Sequence, residues 1–183
     1  MSNNNLIMKL EPGDILLVSE KGVKHTLNRT LGRSRWHHVM LYTGNGNVLE
    51  VTPKKGCHIS ELNLDKKSFI GYKALRNNNL TPEQKKRLVS DAIRTFHGRA
   101  FSWRQLAKAT LRRVVDWKSN GFRKLKPDPN RNHDAEKIIC SNTVAMIYHR
   151  AGQLISERHK PEHIMPRDYD KAKGFEVVFD IKL

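Results

Sequence analysis

Apolar positions recur along this chain with two different periods, two in some stretches and near 3.6 in others. Ile15-Leu16-Leu17-Val18 is a continuous apolar run. It follows the turn Glu11-Pro12-Gly13-Asp14 and reads as a short buried strand. Residues 36–51 read as a hairpin, two β-rich runs flanking Gly44-Asn45-Gly46-Asn47. Further strands are expected at 57–60 and 69–75, and an alternating stretch at 175–181 closes the chain as a last strand. Helical spacing appears later. Thr81-Pro82-Glu83-Gln84 offers a cap, a proline for the first helical position and a capping-box glutamine. Leu88, Ala92 and Phe96 mark the buried face of that helix, which runs to Gly98. Leu106, Ala107, Leu111, Val114 and Val115 predict a second helix over 103–117, and 138–152 reads as a third. Residues 1–9 are expected to be a loose start. Asn120-Gly121 and Pro127-Asp128-Pro129 make 118–137 a basic loop insertion, either a lid or a surface feature. The expected class is α+β, one domain over 1–183.

The third helix carries a thiol. Val144, Ile147, Tyr148 and Ala151 form its apolar stripe, Gly152 stands where a C-terminal glycine belongs, and Cys140 lies at its start in line with the stripe. A thiol at a helix N-terminus feels the positive end of the dipole, which favours the nucleophilic thiolate. The plainer reading is a small core cysteine. The hairpin supplies possible partners. With a three-residue loop, Gly44 to Gly46, Met40 faces Glu50, and His38 is its diagonal neighbour on the same face. A two-residue loop puts His38 and Glu50 on opposite faces. A cysteine at a helix start, a histidine and an orienting carboxylate are the parts of a thiol-based acyl-transfer site. His37 must point away from His38 in a strand. Cys57 reads as a core residue, with His58 directed to the other face.

Gly13-Asp14-Ile15-Leu16, His38-Val39-Met40-Leu41-Tyr42-Thr43-Gly44, Val48-Leu49-Glu50 and Cys140-Ser141, in that order, resemble the NlpC-type papain-like superfamily. The chain is most similar to its circularly permuted, YiiX-like branch, in which the histidine and its polar partner precede the cysteine. The resemblance covers residues 10–75 and 138–183. It implies a permuted papain-like fold, with an antiparallel sheet packed against the cysteine-bearing helix. It implies Cys140 as nucleophile, His38 as base and Glu50 as orienting group. Trp36, Tyr42 and Ser141 are the residues expected to meet substrate, although Trp36 could equally anchor the core. Met40 stands where members of the family carry a small residue, which would narrow the site or change the substrate. Phe101-Ser102 replaces a Tyr-Asp pair, so no polar role is expected there. Met165-Pro166-Arg167-Asp168-Tyr169 resembles a turn near the end of permuted members.

Charge widens the choice of function. Lys and Arg number 34 against 18 Asp and Glu, a net charge of +16. That balance favours anionic partners, an acidic membrane or a polyanion, or else only keeps the surface soluble. Arg29, Arg33 and Arg35 should line a rim of the cleft. No RNA-recognition, zinc-finger or helix-turn-helix motif is present in the sequence. Two cysteines, Cys57 and Cys140, are too few for a disulfide scaffold. The N-terminal apolar run is too short for a signal peptide, which gives an expectation of a cytoplasmic protein. His159 and His163 stand four apart, but Glu162 does not complete a zinc motif, and no metal or cofactor is expected. Two functions remain. One is a thiol-dependent hydrolase or acyltransferase acting on a peptide or lipid-like amide, ester or thioester. The other is a basic nucleic-acid- or membrane-binding module without catalysis.

Overall fold

The computed structural model describes residues 3–21, 35–65, 67–107, 137–157 and 159–182. Six strands form one antiparallel sheet: β1 (Ile15–Glu20), β2 (His38–Gly44), β3 (Asn47–Thr52), β4 (Gly56–Glu61), β5 (Phe69–Asn77) and, after a two-stranded excursion, β8 (Phe175–Lys182). Their order across the sheet is β4-β3-β2-β1-β5-β8. The excursion is the parallel pair β6 (Ala100–Phe101) and β7 (Lys137–Ile138), whose second strand runs into the cysteine helix. With α1 (Asn3–Ile7), α2 (Pro82–Phe96), α3 (Cys140–Arg150) and α4 (Pro166–Tyr169), the architecture is α+β. Among the described residues no helix is long and apolar enough to cross a membrane.

Both sheet faces are covered, which explains why β1 reads as an unbroken apolar run. Ile15, Leu17, Val39, Leu41, Leu49, Val51 and Leu75 pack with α2 and α3 in one core. Leu16, Val18, Met40, Tyr42, Val48, Tyr72 and Phe179 form a second core on the other face. Leu6 and Leu10 join it, so the segment expected to be loose is instead a short helix anchored by two leucines. Met40 is opposite Leu16 and buried in this second core.

The helices follow their end signals. Thr81 and Gln84 form the reciprocal capping box of α2, and Leu88, Val89, Ala92 and Phe96 are its buried face. The helix that starts after Ser102 corrects the expectation for that residue, because its hydroxyl accepts the N–H of Gln105 at 3.1 Å. Most of the helix expected over 103–117, the loop at 118–137 up to Lys137, and Arg29 and Arg33 lie outside the described residues. α3 ends in a Schellman turn: Gln153 N–H reaches the Tyr148 carbonyl, Gly152 N–H reaches that of His149, and Gly152 has φ of 75°. His159 and His163 do not share a helix turn, since only Pro161–His163 is helical, as a 3-10 turn.

The β2–β3 hairpin resolves the open choice of register in a third way. Its turn is two residues, Asn45 and Gly46, both at positive φ (53° and 73°), as the tight hairpin turn demands. A bulge between Tyr42 and Gly44 then shifts the pairing by one. Leu41 consequently pairs with Leu49 and Tyr42 with Val48, the register of the longer loop.

Candidate active site

α3 is buried almost all round, from Ser141 to His149, so each polar side chain in its first turns needs a partner. Ser141 Oγ donates to the Ile164 carbonyl at 2.8 Å and Thr143 Oγ1 to that of Ile139 at 2.8 Å. Asn142 Nδ2 donates to the Glu162 carbonyl. From α4, the Tyr169 hydroxyl donates to the Ser141 carbonyl at 2.5 Å. These bonds fix where the helix begins, and its first residue is Cys140.

The sheet opens where that residue arrives. β2 and β3 pair from Gly44 to Leu41 on one strand and from Asn47 to Leu49 on the other, and not beyond. Below that point His38 to Met40 pair only with β1, and Glu50 to Thr52 only with β4. Tyr42 N–H is directed at β1, onto the Asp14 carbonyl at 2.8 Å. Alternation therefore turns Leu41 and Val39 N–H towards β3. With the strands parted, the Val39 N–H meets the Cys140 sulfur instead.

His38 lies at the mouth of this opening. Its Nε2 donates to Glu50 Oε2 at 2.9 Å, and the ring also hydrogen-bonds Cys140. Because Nε2 is taken by Glu50, Nδ1 is the nitrogen left for the sulfur. The structure thus brings Cys140, His38 and Glu50 together. His38 and Glu50 side chains keep 20% and 17% of their exposure. Cys140 is likewise partly exposed, whereas Cys57 is buried.

The electrostatics follow from these contacts. Burial opposes a charged imidazole, but the bonds to Cys140 and Glu50 outweigh it and hold His38 up at about 10. Burial also opposes charge on Glu50, and His38, Ser60 and His58 outweigh it, bringing the carboxyl down to about 2. The Cys140 thiol is raised by burial and lowered more strongly by His38 and by the N–H groups of Val39 and Ser141, so it ends below its ordinary value. For Cys57 burial outweighs the nearby Arg99 charge and pushes the thiol up to about 12. The favoured charge state pairs thiolate with imidazolium.

The three residues expected to meet substrate are placed otherwise. Trp36 is 1% exposed, its Nε1 donating to Asp170 at 2.9 Å and its ring packed under Arg35, so it is the core anchor. Tyr42 is buried in the second core, with its hydroxyl accepting the Gly46 N–H at 2.9 Å. The Ser141 side chain is buried and spent on Ile164, which leaves only its backbone near the sulfur. His37 is packed beside Glu20, whose N–H its Nδ1 accepts at 3.2 Å.

Two residues near Glu50 were not anticipated. Ser60 Oγ donates to Glu50 Oε1 at 2.6 Å, and His58 Nε2 stands 3.4 Å from the same oxygen. Both belong to β4, where Glu50 pairs with His58 and Val48 with Ser60. The signal was the turn Pro53-Lys54-Lys55, which sets that register. Among the described residues no group of three or more His, Cys, Asp or Glu is arranged to hold a metal ion.

No family model matches the chain, and no curated protein matches it. Among solved structures it is similar to the metalloprotein yiiX from Escherichia coli O157:H7, with a TM-score of 0.64 and 13% identity over 96% of this chain and 99% of that one. At that identity the likeness is one of fold, and the chain has a YiiX-like α+β fold.

Proposed function

We propose that this chain is a thiol-dependent hydrolase or acyltransferase with a permuted papain-like fold of NlpC type, formed by a single domain. The observation that carries the reading is the His38 ring, hydrogen-bonded to Glu50 on one side and to Cys140 on the other. Cys140 thiolate attacks the carbonyl carbon of an amide, ester or thioester, and the carbonyl π electrons move to oxygen. The Cys140 N–H, at the first helical position, has no acceptor within the helix and faces the developing oxyanion. As the tetrahedral intermediate collapses, the bond to the leaving group breaks and His38 delivers its proton to that group. The resulting thioester is attacked by water or an acceptor nucleophile, whose proton passes to His38, and the thiolate leaves. Glu50 keeps Nε2 protonated and stabilises the imidazolium. The yiiX structure is described as that of a metalloprotein. Among the described residues no group of three or more His, Cys, Asp or Glu is arranged for a metal ion, and no step is assigned to one.

The net charge of +16 supports a peptide or lipid-like substrate presented on an anionic membrane or polyanion. A panel of acyl esters, thioesters and peptide amides tests the proposal. Cys140→Ala should abolish turnover, and His38→Ala should lower it by about a hundredfold to ten-thousandfold, each with the fold intact. Glu50→Gln should lose less, because an amide oxygen still accepts from the imidazole. The expected trapped species is a covalent acyl adduct on Cys140, seen by intact mass. Turnover that survives Cys140→Ala would overturn the proposal and leave the basic binding module as the better reading.

A further inference from the structure

Glu50 is held from behind as well as used from the front. Its Oε2 takes the His38 Nε2–H, while its Oε1 takes the Ser60 hydroxyl at 2.6 Å and faces His58 Nε2 at 3.4 Å. The His58 ring is itself fixed, since its Nδ1 lies 3.1 Å from the Gly56 carbonyl. A carbonyl only accepts, so Nδ1 carries a proton. The neutral ring then turns an Nε2 lone pair towards a carboxylate, and the protonated ring turns a donor towards it. The frame behind this contact is rigid. Gly56 sits at φ of 68°, and a Cβ there would lie 2.3 Å from the Arg99 carbonyl oxygen, which accepts the Cys57 N–H at 2.8 Å. β4 is thus clamped to the segment after α2 at the residue that anchors His58.

We infer that Ser60 and His58 are positioning residues, which aim the Glu50 carboxylate at His38 and act on Cys140 only through that contact. The inference deepens the proposed function and rests on it for its catalytic meaning. Ser60 supplies a neutral donor that fixes one oxygen in place. His58 supplies a second donor whenever it is protonated, and the set Cys140 thiolate, His38 imidazolium, Glu50 carboxylate and His58 imidazolium is then electrically balanced. A carboxylate bound at both oxygens has one orientation. Freed at Oε1, it can rotate away from Nε2, and His38 then holds its proton less firmly.

The test uses the full chain and does not depend on any substrate. The His38 ring is titrated by nitrogen-15 NMR in wild type, Ser60→Ala, His58→Leu and His58→Gln. The inference expects His38 to lose its proton about one pH unit lower in Ser60→Ala, which removes a donor and no charge. In His58→Leu, which removes a donor only while His58 is protonated, the expected change is a faster solvent exchange of the His38 Nε2 proton at acid pH. His58→Gln, whose amide can still donate to Oε1, should stay near wild type. A titration that is unchanged or moves upward in Ser60→Ala, or an Nε2 proton that exchanges no faster in His58→Leu, overturns it. Should Ser60→Ala fail to fold, Ser60→Gly takes its place beside Ser60→Thr, which keeps the hydroxyl and should leave His38 unshifted; should His58→Leu fail to fold, His58→Ala takes its place. Loss of turnover plays no part in this readout. A shifted titration in a protein with no hydrolytic activity would refute the proposed function and leave the positioning role standing.

Discussion

Replacing His38 by alanine should slow the chemistry of Cys140 even where no substrate is known. In wild type three donors face the sulfur: the His38 ring, Val39 N–H and Ser141 N–H. The two backbone donors survive the substitution, but burial then dominates and the thiol rises. An opposite charge at this range is worth about 1–3 units of acidity. Each unit removes tenfold of the thiolate wherever pH is below both values, while the less acidic thiolate is intrinsically more reactive with a Brønsted slope of about 0.4–0.5. The two effects together leave alkylation about threefold to sixtyfold slower at pH below both values. The assay is iodoacetamide labelling followed by peptide mass spectrometry, read separately at the two cysteines. Cys57 serves as the internal reference, because its acidity is set by burial and not by His38. Wild-type Cys140 should reach its labelling plateau below the ordinary thiol range, and His38→Ala should still be rising there. Equal rates at Cys140 in the two proteins would refute the claim that His38 activates the sulfur.

Activity should follow the same groups across pH. His38 is raised in the fold, so its stabilising pairing is complete below its ordinary value of 6.5 and is lost as pH rises through about 10. Glu50 is lowered, so its contribution is present above 4.5 and is lost as pH falls through about 2. Turnover should therefore decline on the alkaline side as His38 loses its proton, and a rate that climbs steadily past that point would contradict the ion-pair mechanism. Tyr169→Phe removes one buried hydrogen bond from the Ser141 carbonyl and should cost about 1 kcal/mol in urea unfolding. Gly56→Ala faces both a positive φ and the Arg99 carbonyl, and should cost about 2 kcal/mol or more by the same measurement. Binding to anionic vesicles should weaken as salt rises from low to physiological ionic strength, because exposed charges are screened.

The sequence made most of the secondary structure legible for local reasons. The Thr81-Pro82-Gln84 start of α2 and the Gly152 end of α3 are set by residues within a few positions of each other, and both appear as expected. The pairing of His38 with Glu50 was harder. It depends on a bulge at Thr43 that compensates for a two-residue turn, and a bulge leaves no pattern in hydrophobicity. Tyr42 and Ser141 were misread, and Trp36 stayed open between substrate platform and core anchor, because nearness in sequence to a reactive residue says nothing of which side of the sheet or helix is open. Trp36 answers to Asp170, 134 residues away, and Ser141 to Ile164. Such partners are fixed by tertiary packing alone. His58 was assigned to the face opposite Cys57, correctly, but that this is the face of Glu50 follows only from the β3–β4 register.

The parted strands below Leu41 have a cost that bears on how this protein can change. Were the hairpin to close further, Val39 N–H would find the Val51 carbonyl and the sheet would gain a regular rung worth about 1 kcal/mol. The same closure would take from Cys140 the donor that Val39 now gives it. Regularity and reactivity compete for one amide proton. Substitutions that strengthen pairing between residues 38–40 and 50–52 should therefore raise thermal stability while dulling the thiol, and selection for stability alone would drive the chain toward an inert sheet.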